Sequence, residues 1–214
     1  VKHFTHLLPH SPDPESALLH FREFLGQLFD REDWSDQLAS LERPEVLDAL
    51  ARLLGVSNFL WEDFLRMQHG SLFSVVSNVE ELTDRKPRLS LESELEAELG
   101  EAQDGTARRA SLNSFKDRHI FRVDMRHILG HIDGFEQFSR ELTDLAEVVV
   151  NAGYLLCDDE LIIEHGTPSL DNGMVCPVSI CALGKCGGRE LGYASDIELI
   201  FIYAGNGLTT GPNV

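Results

Sequence analysis

Apolar positions recur at helical spacing through the first part of the chain. After Ser11-Pro12-Asp13-Pro14-Glu15, a combination suited to a helix N-terminus, Ala17, Leu18, Phe21, Phe24, Leu25 and Leu28 form one stripe. A second helix is predicted from Pro44, with Val46, Leu47, Leu50, Leu53 and Leu54 on its buried side and Gly55 closing it. A third follows Ser57-Asn58, with Phe59, Leu60, Phe64, Leu65 and Met67 as core rather than as a cofactor box. Residues 1–78 therefore read as a helical domain. Between Val79 and Ser111 the pattern thins into charged residues nearly free of aromatics, which predicts a mobile linker; Leu91, Leu95 and Leu99 offer at most a narrow helix edge. From Ser111 the helical period resumes through Phe115, Ile120, Phe121 and Ile128, then Phe135, Phe138, Leu142, Leu145, Val148 and Val149.

Towards the end the period changes from helical to alternating. Val178–Leu183 is predicted as a strand running into Gly184-Lys185-Cys186-Gly187-Gly188, where the glycines allow backbone to approach an anion before a short helix from Arg189 to Tyr193. A second strand is predicted through Ile197, Leu199, Phe201 and Tyr203, with Asp196 and Glu198 on its opposite face. Two adjacent carboxylates repel, and a hard cation such as Mg²⁺ with phosphate oxygens in its shell relieves the repulsion. The bland alternative is a strand edge with two solvated acids. Lys185 and Arg189 are phosphate candidates or solvated cations, and Ser195 either caps backbone groups or bonds a phosphate oxygen. Residues 204–212 read as a loop.

Composition narrows the partners. The 214 residues carry a net charge of −18, which argues against a nucleic-acid surface and leaves a protein or a metal-bound nucleotide. Arg118, Arg122 and Arg126 recur every four residues and line one helix face, suited to phosphates or to the chain's own acids. The four cysteines have no disulfide-rich spacing and are expected to be buried free thiols. Neither a signal peptide nor a membrane span is legible, so a cytoplasmic location is the default expectation. The chain begins with Val1 and ends in a loop, and residues beyond both ends are expected in the natural protein.

The string from Ala182 to Phe201, ALGKCGGRELGYASDIELIF, closely resembles the signature of the glutamine synthetase adenylyltransferases, members of the DNA polymerase β-like nucleotidyltransferase superfamily. Residues 115–130 are similar to the family's basic helix, residues 142–147 to the helix that follows, and residues 53–60, more loosely, to an N-terminal helical element. The resemblance implies an α+β fold: a mostly helical N-terminal region, then lead-in helices and the first strands of a nucleotidyltransferase-type mixed sheet over residues 112–214, truncated at the C-terminus. It implies Asp196 and Glu198 as catalytic metal ligands for Mg²⁺, and Gly187, Gly188, Lys185, Arg189 and Ser195 as the nucleotide and phosphate site. ATP is then the donor substrate. The acceptor is a tyrosine of glutamine synthetase, the reverse reaction is phosphorolytic removal of AMP, and both regulate nitrogen assimilation. Three departures qualify this picture. Glu198 stands where the family usually has Asp, His119 and His127 stand where acids are usual, and the superfamily's third carboxylate belongs to a later strand. A regulatory or scaffold protein that keeps the fold without turnover is the alternative.

Overall fold

Asp13 shows how locally the helices are specified. In the computed structural model, which describes residues 2–29, 43–56 and 79–211, its carboxylate accepts from the Glu15 and Ser16 N–H groups at 3.1 and 3.2 Å. It caps a helix whose first residue, Pro14, has no N–H to lose. Helix α1 is Lys2–Leu7, α2 is Pro14–Phe29 and α3 is Pro44–Leu54. A 3-10 turn, Val79–Leu82, is followed by α4 (Arg88–Glu101), α5 (Gly105–Ile128) and α6 (Phe135–His165). The C-terminal part holds strands β1 (Pro168–Leu170) and β2 (Val178–Leu183), the one-turn helix α7 (Gly184–Gly187), and strands β3 (Glu198–Tyr203) and β4 (Gly207–Thr209). The fold is α+β, with all helices but the one-turn α7 preceding its strands among the described residues.

The chain divides into two units, one of residues 1–85 and 117–134, the other of residues 86–116 and 135–214. In the first, Phe4, Phe21 and Phe24 meet Val46, Leu50 and Leu54 of α3 and Phe121 and Met125 of α5 in one apolar cluster. The stripe predicted on α2 is confirmed at Ala17, Phe21 and Phe24, but Leu18 is 41% exposed. Its neighbour His20 is buried instead, its Nδ1 2.7 Å from the Leu54 carbonyl at the end of α3. The helix expected after Ser57-Asn58 lies outside the described residues.

Arg122 and Arg126 have backbone partners that their helical spacing did not name. The Arg122 guanidinium donates to the Glu81 and Asp84 carbonyls, and Arg126 donates to those of Leu82 and Thr83. Both are buried, Arg126 at 1% exposure. The turn at residues 79–84 ends without continuing as helix, so its carbonyls need donors from elsewhere, and two arginines one helical turn apart supply them.

In the second unit, the charged stretch expected to be a mobile linker contains α4, with Leu91 and Leu95 buried where α4 packs on α6. The polar residues around that narrow edge make ion pairs: Lys86 with Glu94, Arg88 with Glu92, and Arg88 with Glu147 of α6. The described strands form two antiparallel pairs. β2 pairs with β3, Val178 opposite Tyr203 and Leu183 opposite Glu198. β1 pairs with β4, so a strand lies within the segment expected to be loop. Ile200, Phe201, Ile202 and Tyr203 are each between 46% and 63% exposed, which puts accessible apolar side chains on both faces of β3. Among the described residues no helix is long and apolar enough to cross a membrane.

Candidate functional site

The site is built on the connection between β2 and β3. Leu183 ends β2 opposite Glu198, so the register brings the first residue of β3 back beside the start of the connecting loop. Gly184 leaves the strand with φ +52°, a left-handed conformation in which a side chain is strained. A Cβ at Gly184 would also lie 2.5 Å from Glu198 Oε2, so the Glu198 carboxylate folds over bare glycine backbone. At Gly187 a Cβ would run into the Ala182 carbonyl oxygen, part of the β2 backbone that cannot rotate away. The two glycines thus let the chain turn tightly against its own strand with an acid laid across the turn.

The turn ends in a Schellman motif, not in the helix expected from Arg189 to Tyr193. The Glu190 N–H donates to the Lys185 carbonyl at 2.7 Å, the Arg189 N–H to that of Cys186 at 3.1 Å, and Arg189 has φ +59°. Glycine ordinarily takes that position, because a non-glycine residue there costs about 1–2 kcal/mol. The Gly188 N–H is engaged by the Gly184 carbonyl at 3.0 Å, so Gly188 serves the turn itself. Arg189 extends to α6, where Nη1 donates to Glu147 Oε1 at 2.7 Å and Nη2 donates to Asp144 Oδ1. Glu147 also accepts from Arg88 of α4. Asp144, Glu147 and Arg88 were given no role from sequence; the legible signal was two acids three apart on one helix face beside a lone arginine in the loop.

Beyond the Schellman motif, the Gly192 N–H donates to Ser195 Oγ at 2.9 Å and the Ser195 N–H donates to the Gly192 carbonyl at 3.2 Å. Ser195 therefore caps, one of the two roles open to it. Tyr193, inside that turn, packs on Phe138 of α6 with ring centroids 4.6 Å apart. The same turn delays the strand, so β3 starts at Glu198 and Asp196 precedes it. Strand alternation thus does not govern how Asp196 sits relative to Glu198. Both acids are solvent-exposed.

Their chemistry suits a hard divalent cation in part. Two accessible carboxylates supply oxygen donors, and Glu198 already lies over the glycine turn; a cation such as Mg²⁺ completes its shell from phosphate and water. Among the described residues no group of three His, Cys, Asp or Glu side chains converges to hold a metal. Next to the turn an open cleft of about 520 Å³ is lined by Phe135 and Ser139 of α6 and by Lys185, Arg189, Tyr193 and Ser195.

The cysteines differ from expectation. Cys157 and Cys181 are exposed and Cys176 half-buried, leaving Cys186 as the one buried thiol among the four. Burial first, and the nearby Glu147 charge second, push the Cys186 thiol above its ordinary value, against a weaker opposing pull from Arg189. Its reactive thiolate is correspondingly scarce. In a timed iodoacetamide reaction at pH 8 read by peptide mass spectrometry, Cys157 and Cys181 are expected to be labelled first and Cys186 at least about tenfold more slowly. Equal rates would mean that the turn does not cover Cys186.

Helices leading into an antiparallel strand pair, with a glycine turn after the first strand and a carboxylate at the start of the second, are consistent with a nucleotidyltransferase-type fold. The family profile described as glutamate-ammonia ligase adenylyltransferase matches residues 47–213. The chain belongs to that family. A bifunctional glutamine synthetase adenylyltransferase/adenylyl-removing enzyme of Shewanella loihica is 32% identical over 180 residues, covering 84% of this chain and 18% of the relative. The protein of the same name from Psychromonas ingrahamii is 30% identical over 196 residues, 91% of this chain and 20% of the relative. A third, from Thioalkalivibrio sulfidiphilus, is 34% identical over 110 residues, 51% of this chain and 11% of the relative. The chain thus spans about a fifth of the length of the first two relatives.

Proposed function

We propose that this chain forms the nucleotide-gripping part of a Mg²⁺-dependent enzyme that transfers AMP from ATP to a tyrosine of glutamine synthetase, or removes it by phosphorolysis. The observation that carries this reading is the Glu198 carboxylate laid across the Gly184 turn, with Asp196 exposed two residues earlier. The relatives' printed names support both directions, since each is called an adenylyltransferase and an adenylyl-removing enzyme. A cytoplasmic location, where such a substrate would be met, belongs to the same proposal.

Asp196 and Glu198 would hold the cation. Magnesium held by those carboxylates would neutralise the triphosphate and stabilise charge on the attacking and leaving oxygens. The chain's own contribution is positioning. Gly187 lets the turn close against the β2 backbone, and Lys185 brings a positive charge to that turn. Ser195 holds the turn from which Asp196 emerges.

The test is to incubate the full-length protein with α-labelled ATP, Mg²⁺ and glutamine synthetase, then map the label by peptide mass spectrometry. Label on a tyrosine of glutamine synthetase, dependent on Mg²⁺ and lost again on adding phosphate, is the expected result. Absence of label on glutamine synthetase in both directions of assay would refute the proposed substrate.

A further inference from the structure

We infer that Arg189 is a positioning residue, which sets the glycine turn against Glu198 through its clamp on Asp144 and Glu147 and does not itself bind the nucleotide. The inference rests on the function proposed above for the turn. Arg189 occupies the one position of the Schellman motif where its side chain strains the backbone, at φ +59°. A residue kept there for its side chain must use that side chain, and the guanidinium reaches two carboxylates at once, Asp144 through Nη2 and Glu147 through Nη1. Those acids are three residues apart on one face of α6, a spacing that presents two carboxylates to one planar fork. The Asp144 side chain is only 8% exposed, and Glu147 is gripped from its other side by Arg88 of α4. The clamp therefore ties the end of the turn to two helices.

The consequence runs through backbone. Residues 184–190 are joined by hydrogen bonds from the Gly188, Arg189 and Glu190 N–H groups, so fixing Arg189 fixes the turn back to Gly184. Gly184 lies under the Glu198 carboxylate. A shift of the turn moves the surface on which that carboxylate rests and the backbone at Gly187. A guanidinium already bonded to two acids is a poor phosphate ligand, because a phosphate would have to displace both.

The experiment uses the full-length protein and four variants: Arg189→Gly, Glu147→Gln, their combination and Arg189→Lys. Glycine suits the left-handed position, so Arg189→Gly removes the clamp without adding strain, and Arg189→Lys is the conservative partial rescue. Amide hydrogen exchange reads the turn directly, whatever the activity. Weakening the clamp is expected to speed exchange at residues 188–190 by about threefold or more in Glu147→Gln, and its loss by about tenfold or more in Arg189→Gly. Unchanged exchange there overturns the inference. In the transfer assay Arg189→Gly is expected to lower kcat by about 10-fold to 100-fold with a much smaller change in the KM for ATP, as for misplaced catalytic groups. The double variant is expected to be no worse than Arg189→Gly alone, since both remove one interaction. A rise in the KM for ATP with kcat unchanged would mark Arg189 as a nucleotide ligand and overturn the inference. Additive losses in the double variant would also overturn it. If the wild-type protein transfers no label while exchange responds as expected, the proposed function fails and the clamp stands.

Discussion

Asp196→Asn in the full-length protein is expected to reduce AMP transfer by about 10³-fold, the loss typical of removing a group that stabilises transition-state charge. The substitution keeps the shape of the side chain and replaces a charged oxygen with an amide nitrogen that cannot ligate a hard cation. Asp196 is solvent-exposed, so its loss should leave folding nearly untouched, and the melting temperature of the variant should match that of wild type. That separation of activity from stability distinguishes the metal role from a structural one. Glu198→Gln tests the same role at the residue folded over Gly184 and is expected to behave alike. Equal transfer by Asp196→Asn and wild type would refute the assignment.

Arg126→Met is expected to be the most damaging substitution for stability, at about 3 kcal/mol, and to leave the nucleotide site intact. Methionine preserves length and apolar volume but deletes every donor. The Leu82 and Thr83 carbonyls, satisfied by a buried guanidinium, are then left without those bonds, and each such loss costs about 1–3 kcal/mol. Arg126 is 1% exposed and adjoins Met125 of the apolar cluster, so water has little access to make good the loss. Arg122→Met removes two bonds of the same kind from a slightly more open position and is expected to cost less. Urea unfolding followed by circular dichroism measures both; a midpoint unchanged in Arg126→Met would show that the arginine is dispensable to that turn.

These two residues also show what the sequence made legible. Strand β2 could be read to its ends because alternation, β-branching and the following glycines all act within a few residues. The start of α3 at Pro44 is likewise local, set by a missing N–H, whereas Gly55 at its end has an ordinary negative φ and stays bare because Ser11 and Asp13 pack against it. The backbone partners of Arg126 were not legible because those carbonyls lie more than forty positions away, and spacing on a helix names a face without naming what meets it. The stretch from Arg88 to Glu101 was misread for a related reason. Its two buried leucines carry too weak a stripe to outweigh the charges, whose partners include Glu147 on α6.

At the candidate site the chemistry was more legible than the geometry. Two acids, two glycines, a lysine and a serine can be identified from residue type and order. The place of the one-turn helix depends on the positive φ at Gly184 and on Arg189 reaching α6, neither of which is local information. Strand β4 depends on pairing with β1 across nearly forty residues and has no pattern of its own in three residues.

The central claim is that Asp196 and Glu198 together bind nucleotide through a divalent cation at the glycine turn. The most direct measurement is calorimetric titration of ATP into the full-length protein, with and without Mg²⁺, for wild type and for the Asp196→Asn/Glu198→Gln double variant. The expected result is that Mg²⁺ strengthens ATP binding to wild type by about tenfold or more and has no such effect on the double variant, because the cation must be held by carboxylate oxygens to couple the two. An equal Mg²⁺ response in both proteins would contradict the account.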